Sequence, residues 1–146
     1  MNHKDLNRLL DAMLRQAKQC HQNTGHVVPF ATVLTSQGKV AHLAAPARPG
    51  HFSVQDTIRT LEGGLSTRAR QGMCRAVGIC FETRTNPEAG EATDEGIYVL
   101  VEHQDGGVCQ VVLPYARTGP GQVTYGHAIS TSTAPRFFAN AMTRSA

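Results

Sequence analysis

Four polar side chains near the ends of alternating apolar segments have the chemistry of acid–base catalysts. They are Glu82, Glu102, His103 and His127. Glu82 follows one such segment, while Glu102 and His103 end another, so neighbouring strands would place the two glutamates across from each other. Two carboxylates a few ångströms apart raise the pKa of one of them, which is a common way to obtain a general acid. The pattern therefore permits an acid–base pair.

A surface ion-pair cluster is the other interpretation of Glu82 and Glu102, because Arg75 and Arg84 can neutralise both. The sequence has no tryptophan, three tyrosines and five phenylalanines, and no segment typical of a sugar-binding groove. We therefore favour the ion-pair cluster.

A nucleophilic site would require a thiolate or hydroxyl next to a base that a third group orients. The sequence offers Cys80 or Cys109 with His103 and Glu82. Strand alternation, however, places His103 at the end of a buried row close to the turn at 105–107. We therefore expect His103 to be a structural, partly solvated histidine.

Metal binding is not expected, because a zinc site requires three or four ligands at short spacings, usually including a close pair such as Cys-x-x-Cys. The four cysteines, at positions 20, 74, 80 and 109, include no such pair. The glycine-rich run 118–121 lacks the Lys-Ser/Thr and the following helix of a phosphate-binding loop. The sequence therefore predicts neither a metal nor another cofactor.

Charge and hydropathy exclude several other classes of function. The net charge of +3 comes from 14 basic and 11 acidic residues spread along the chain, so nucleic-acid binding is not expected. No apolar run approaches the roughly 20 residues that span a bilayer, and no secretory leader is evident. We expect a cytoplasmic protein with reduced cysteines and no membrane partner.

Two amphipathic helices are predicted. Residues 4–21 place apolar side chains on one face, and Gly25 is expected to close this helix in the left-handed conformation. Ser53 is expected to cap the second helix, and Gly72 to end it. The apolar row of the second helix is Val54, Ile58, Leu61 and Leu65.

Five main strands are predicted around short turns. They are 27–35, 39–45, 74–81, 97–104 and 108–116. Asp105-Gly106-Gly107 is the strongest hairpin signal. The polar connection 85–96 is expected to be exposed, 122–127 to form a short strand, and 135–146 to form a short helix or a tail.

This order of elements, α-β-β-α-β-β-β, predicts one α+β domain over residues 1–146. We expect an antiparallel sheet of about five strands, with the helices mainly on one face.

Alternation divides the sheet side chains into a helix-facing row and an opposite row. The helix-facing row is Val77, Ile79, Phe81, Val99, Val101, Val111 and Leu113. The opposite row is Gly78, Cys80, Tyr98, Leu100, Gln110 and Val112. Because the opposite row is too apolar for water, either the first helix crosses to it or a second copy of the protein packs there. We favour a homodimer with Tyr98, Leu100 and Val112 in its interface.

The order of elements resembles that of the roadblock, longin and profilin-like domains, in which five strands present one face to helices. Short motifs also make the sequence similar to a small bacterial family of unknown function. They are Pro29-Phe30-Ala31, Arg75-Ala76-Val77, and Leu113-Pro114-Tyr115 followed by Tyr125-Gly126. The resemblance spans most of the chain, and it implies no particular activity.

The sequence therefore favours a non-enzymatic binding or interaction module, a homodimer that docks a protein partner or a small ligand at its sheet face or beside 85–96. The alternative is a small hydrolase or transferase that uses His103 or His127 with Glu82, Glu102 or a cysteine. An enzyme should bring a histidine, a carboxylate and a nucleophile into one pocket, whereas a binding module leaves them apart.

Overall fold

A computed structural model describes residues 3–45, 53–84, 95–120 and 122–138, which form two helices and seven strands. The helices are α1 (His3–Thr24) and α2 (Val54–Arg70). The strands are β1 (Phe30–Thr35), β2 (Val40–Ala44), β3 (Cys74–Arg84), β4 (Glu95–His103), β5 (Val108–Gly119), β6 (Gln122–Tyr125) and β7 (Ile129–Thr131). The predicted α+β class and the order of the first seven elements are confirmed, and the sheet has more strands than the five expected.

Local signals end the helices where the sequence predicted. Gly25 follows α1 with a φ of 80°, and Gly72 follows α2 with a φ of 68°, a backbone conformation that favours glycine. The Ser53 hydroxyl accepts a hydrogen bond from the Asp56 amide and caps α2. Within the predicted apolar row of α2, Leu61 and Leu65 are buried, Ile58 is half-buried and Val54 is exposed.

All strand pairs of the described sheet are antiparallel, in the order β2-β1-β3-β4-β5-β6. The long strand β5 pairs with β4 along one edge. Its other edge holds β6 opposite Tyr115–Gly119 and β7 opposite Gln110–Val112. The sheet is therefore six strands wide.

The two helices cover opposite faces of this sheet, so the prediction that they lie mainly on one face is wrong. The cluster under α1 contains Leu9, Met13, Cys80, Val99 and Val101. The cluster under α2 contains Leu61, Leu65, Val77, Ile79 and Leu100. Both sheet faces are apolar, and each helix has one apolar stripe, so one helix is needed on each side.

The two predicted rows of sheet side chains combined residues of β3 and β4 that lie on opposite faces of the sheet. Ile79 lies opposite Leu100, and Cys80 lies opposite Val99, so each pair shares a face. A shift of one residue in register moves every side chain of a strand to the other face, and a long connection such as 85–96 leaves the register undetermined. Residues 85–94 of that connection lie outside the described residues. Of the two alternatives for the apolar second face, the crossing of the first helix is the one observed.

Gly78 allows α1 to approach the sheet closely. A Cβ atom at Gly78 would collide with the Met13 sulfur and would crowd Val101. No such approach explains Gly63 and Gly64 of α2, because a Cβ atom at either position would meet no atom of the described residues within 4 Å.

The end of the described chain is neither a helix nor a free tail. Residues 136–138, here called the C-terminal strap, place Phe137 and Phe138 in the cluster under α2, where both are buried. The fully buried carboxylate of Glu102 accepts hydrogen bonds from the backbone amides of all three strap residues, at 2.7 to 3.1 Å. Glu102 therefore has a structural role. The rest of the predicted helix or tail, 139–146, lies outside the described residues.

We predict that Glu102→Gln lowers the free energy of unfolding by about 3 kcal/mol. The charge-assisted bonds to three amides weaken, and the glutamine NH2 group faces further donors in a buried site. Urea denaturation measures the loss, and hydrogen exchange at Phe137 and Phe138 locates it.

Glu62→Gln is the matched control, because Glu62 forms only a solvent-accessible ion pair with Arg136 of the same strap. Its cost should stay below about 1 kcal/mol. Equal losses in the two variants would show that the buried carboxylate does not hold the strap.

Candidate functional site

One corner of the α1 face, beyond the last turn of α1, collects polar and aromatic side chains from four strands. The register places Glu95, Tyr115 and Tyr125 in one row across β4, β5 and β6. Glu82 on β3 and Arg117 on β5 lie two residues from that row and on the same face. This corner is the candidate site.

His21 connects α1 to this corner. It is 1% exposed, and its Nδ1 lies 2.8 Å from the Tyr125 hydroxyl, while its Nε2 lies 3.3 Å from Glu82 Oε1. The same Glu82 oxygen accepts a hydrogen bond from the Val27 amide. Burial lowers the pKa of His21, although Glu82 acts in the opposite direction. His21 is therefore a neutral hydrogen-bonding link at pH 7.

Tyr115 is the unusual member of the cluster. Its side chain is 4% exposed, and its hydroxyl is the one buried side-chain polar atom of the described residues without a hydrogen-bond partner. Burial, and then the charges of Glu82 and Glu95, raise the pKa of Tyr115. Glu82 is the hydrogen-bonding group next to this hydroxyl and raises the pKa further in that way, but the distance and angle between the two groups are not those of a formed hydrogen bond. A buried hydroxyl without a partner is costly, so this atom calls for a functional explanation.

Arg117 borders the same corner. Its Nε lies 3.3 Å from Glu95 Oε2, and its Nη1 donates to the Gly25 carbonyl at 2.9 Å. The guanidinium carbon lies 5.6 Å from the centre of the Tyr115 ring. The described residues offer no hydrogen-bond partner to Nη2, the third nitrogen of Arg117.

Two adjoining cavities open at this corner and share His26 and Glu82. The polar cavity, of about 390 Å³, is lined by His26, Glu82, Thr83, Glu95, Tyr115 and Arg117. The apolar cavity, of about 370 Å³, adds Val27, Val28, Pro29, Ser53, Val54 and Thr57. Glu82 therefore stands between a charged compartment and an apolar one. A small ligand with both characters could occupy the two together.

Of the four predicted acid–base residues, Glu82 alone lies in this corner. Glu102 is held by the C-terminal strap on the α2 face, and it lies five positions along β4 from Ile97, the partner of Glu82. At about 3.3 Å per residue this separates the two glutamates by about 17 Å along the sheet. Glu82 and Glu102 therefore form neither an acid–base pair nor one ion-pair cluster.

His103 lies at the opposite end of the sheet, near the start of α1. Its Nε2 is 2.9 Å from Asp5 Oδ2, and its Nδ1 accepts from the Asp105 amide at 3.1 Å. Arg75 approaches the other oxygen of Asp5, at 3.9 Å. The histidine is buried and joins α1 to the β4–β5 turn, so the structural interpretation agrees with its position, whereas partial solvation does not.

The remaining predicted chemical groups are dispersed. His127 is exposed in the segment between β6 and β7. Cys80 is fully buried, and burial raises the pKa of its thiol well above the usual value, with smaller effects of Cys20 and Glu82. Cys109 lies on β5, where its sulfur is 3.3 Å from the Ser130 hydroxyl. No histidine, carboxylate and cysteine of the predicted set meet in one cavity of the described chain.

The predicted interface residues lie on the α2 face. Leu100 is fully buried in one cluster with Phe137 and Phe138, so it offers no surface to a second copy. Tyr98 and Val112 are half-buried, and the Tyr98 hydroxyl donates to Gln110 at 2.7 Å. The homodimer was predicted because an apolar sheet face was expected to need a cover. Because α2 and the C-terminal strap pack on this face, that reason no longer applies.

Sequence reasoning missed most of the corner, although one signal was available. His21 continues the apolar stripe of α1 after Met13 and Ala17, at a spacing of four residues. A polar residue on such a stripe is buried and requires partners. Glu95 and Arg117 lie beyond the predicted strands 97–104 and 108–116, so alternation did not indicate them. Tyr125 lies in the short strand predicted at 122–127, which no pattern connected to Glu82.

Two further findings concern metals and membranes. Within residues 3–45, 53–84, 95–120 and 122–138, no three His, Cys, Asp or Glu side chains are grouped so that they could hold a metal ion. Neither α1 nor α2 is long and apolar enough to cross a bilayer.

Comparisons with protein-family models, with curated proteins and with solved structures gave no match. The resemblance to a small bacterial family and to roadblock-like domains therefore stays a prediction.

The lowered pKa of His21 predicts a pH dependence of stability. As the pH falls, the unfolded state, with a histidine pKa near 6.5, takes up a proton before the folded state does. The free energy of unfolding therefore falls as the pH drops from about 7 through 6.5 towards the lowered pKa. One proton gives a slope of at most about 1.4 kcal/mol per pH unit.

His21→Gln should remove this share of the slope, as measured by urea denaturation between pH 7.5 and 5. Burial also lowers the pKa of His42, which is hydrogen-bonded to Thr32 on the sheet, so His42→Gln should remove a separate share. A slope unchanged by His21→Gln would contradict the neutral, buried state of this histidine.

Proposed function

We propose that this protein is a non-enzymatic binding module for a small ligand that carries a protonated amine. The ammonium group binds beside Glu82 in the polar cavity, and the rest of the ligand extends along the cleft. The observation that carries the proposal is the Glu82 carboxylate, which lines both cavities and whose ion-pair partner among the described side chains is His21, a histidine whose pKa burial lowers. Tyr115 lines the polar cavity beside it, and its hydroxyl is buried without a partner among the described residues.

The charges of the corner favour a cation over an anion. Arg117 is paired with Glu95, whereas the described residues give Glu82 no ion pair except with His21. His21 is neutral at pH 7, because burial lowers its pKa. Among the side chains that the structure describes, which do not include that of Arg84, none but His21 forms an ion pair with the Glu82 carboxylate, which is 26% exposed. An ammonium group supplies a cation for this carboxylate, and a small shift of the Tyr115 ring would let the buried Tyr115 Oη accept a hydrogen bond from it.

The alternative of a hydrolase or transferase has less support. Glu82 is separated from Glu102 and His103, and the Cys80 thiol is buried with a raised pKa. A buried thiol of this kind is a poor nucleophile. The binding module is therefore the better supported of the two functions.

The proposed function also includes a partner of the protein and its location in the cell. We propose a small molecule as the partner, because the cleft is concave and has the size of typical ligand sites. All four cysteines are free in the structure, which supports the expected cytoplasmic location. Self-association is not part of the proposal, because α1 and α2 each cover one sheet face.

The first test compares two probes of similar shape, isopentylamine and 4-methylpentanoate. At millimolar concentrations the amine should raise the melting temperature of the protein, since a ligand that binds only the folded state stabilises it by mass action. The carboxylate should not. Chemical shifts of Glu82 and Tyr115 should respond to the amine alone.

Glu82→Gln should weaken amine binding at least about tenfold, because it removes a charge-assisted hydrogen bond. Glu62→Gln, a glutamate of the α2 surface, should leave binding unchanged. Binding of the carboxylate instead of the amine, or of neither probe, would overturn the proposal.

A second test uses the Tyr115 hydroxyl itself. Without ligand, Tyr115→Phe should stabilise the protein by about 1 kcal/mol, because it removes a buried group that has no partner. The same substitution should weaken amine binding about fivefold to tenfold. A purely structural tyrosine would not combine higher stability with weaker binding.

Tyr125→Phe is the matched control, because its hydroxyl is hydrogen-bonded to His21 at 2.8 Å. It should lose about 1 kcal/mol of stability. Denaturation of the two variants, side by side, checks the opposite signs.

A further inference from the structure

The apolar cavity contains surface that water does not favour. Val28 is 69% exposed and Val54 is 57% exposed, two of the four large hydrophobic side chains that stand out on the described surface. Both line the apolar cavity together with Val27 and Pro29, directly beside Glu82. Isolated exposed valines are ordinary, but two in one concave site indicate contact with an apolar group.

The polar cavity also has an unused donor for an anion. Arg117 uses Nε for Glu95 and Nη1 for the Gly25 carbonyl, which leaves the two N–H groups of Nη2 without a partner among the described residues. These contacts hold the guanidinium in place beside the cavity. A carboxylate bound there would receive a charge-assisted hydrogen bond.

The cleft thus presents three different surfaces around Glu82. The first is the Glu82 carboxylate with the Tyr115 hydroxyl, which suits an ammonium group. The second is Nη2 of Arg117, which suits a carboxylate. The third is the apolar wall with Val28 and Val54, which suits an aliphatic chain.

We infer that the ligand is a free α-amino acid with an aliphatic side chain. Its ammonium group binds at Glu82, its carboxylate at Arg117 and its side chain in the apolar cavity. The inference rests on the proposed function, because it assumes that the amine binds at Glu82, and it adds the carboxylate and the side chain. Cavities of about 390 and 370 Å³ lie within the range typical of small-molecule sites.

A third cavity, of about 470 Å³, lies between α1 and the edge strand β2 and includes Arg8, Arg15 and His42. The His42 Nδ1 atom is already 2.8 Å from the Thr32 hydroxyl, and the described part of this cavity contains no buried polar atom without a partner. It therefore gives no comparable indication of a ligand.

The experiment measures the affinities of four probes for the full chain by calorimetry at pH 7. L-Leucine carries all three groups, isopentylamine lacks the carboxylate, 4-methylpentanoate lacks the amine, and glycine lacks the side chain. Leucine should bind at least tenfold more tightly than each of the other three. Leucine that binds no better than isopentylamine would overturn the amino-acid inference and leave the proposed amine site standing, whereas failure of both probes would overturn both.

Variants assign each group of the ligand to its surface. Arg117→Gln should reduce leucine affinity about tenfold and leave isopentylamine affinity within twofold, whereas Arg59→Gln, at an exposed arginine of α2, should change neither. Val54→Ser should weaken leucine and spare glycine. Loss of isopentylamine binding in Arg117→Gln would show that this arginine only supports the fold of the corner, and it would refute the carboxylate site.

Discussion

The pairing of β3 with β4 is the constraint on which the rest of the structure depends. These strands form the centre of the sheet, and their register runs from Ala76 opposite His103 to Arg84 opposite Glu95. It decides which apolar side chains share a face, and therefore what each helix must cover. Because both faces are apolar, α1 and α2 are divided between them, and the glycine at position 78 lets Met13 of α1 pack directly on the sheet.

The same register determines where polar groups can be buried. On the α2 face, Glu102 forms no ion pair with a side chain of the described residues, and three consecutive backbone amides of the C-terminal strap donate to its carboxylate. On the α1 face, Glu82 lies past the end of the helix, where a buried histidine and one amide satisfy only part of its capacity. Two glutamates that look alike in the sequence thus differ in their surroundings. The backbone amides of the strap surround the carboxylate of Glu102, whereas that of Glu82 lines a cavity, which is why we propose a ligand there.

The geometry of the corner around Glu82 is the basis on which we propose a binding site and not a catalytic one. His21 is enclosed by protein partners, His26 lines both cavities, and none of the four cysteines lines the polar cavity. What the corner offers is complementary charge beside an apolar wall, with one buried hydroxyl left without a partner. Such a combination orients a ligand through a few polar contacts and holds it through apolar area.

Local chemistry in the sequence was enough to determine the helices, the hairpins and their ends. Periodicity marks α1 and α2, and Gly25, Ser53 and Asp105-Gly106 stop or turn the chain by backbone preferences that need no distant partner. The β4–β5 register also follows from a short turn, and extending it would have placed Glu95 opposite Tyr115. The β3–β4 register could not be derived in this way, because the connection is long and a shift of one residue exchanges the faces. Only the tertiary structure could therefore separate Glu82 from Glu102 and place the helices on opposite faces. It also brings His21, Tyr115 and Arg117 to one corner. Each of these outcomes depends on packing between segments that are distant in the chain.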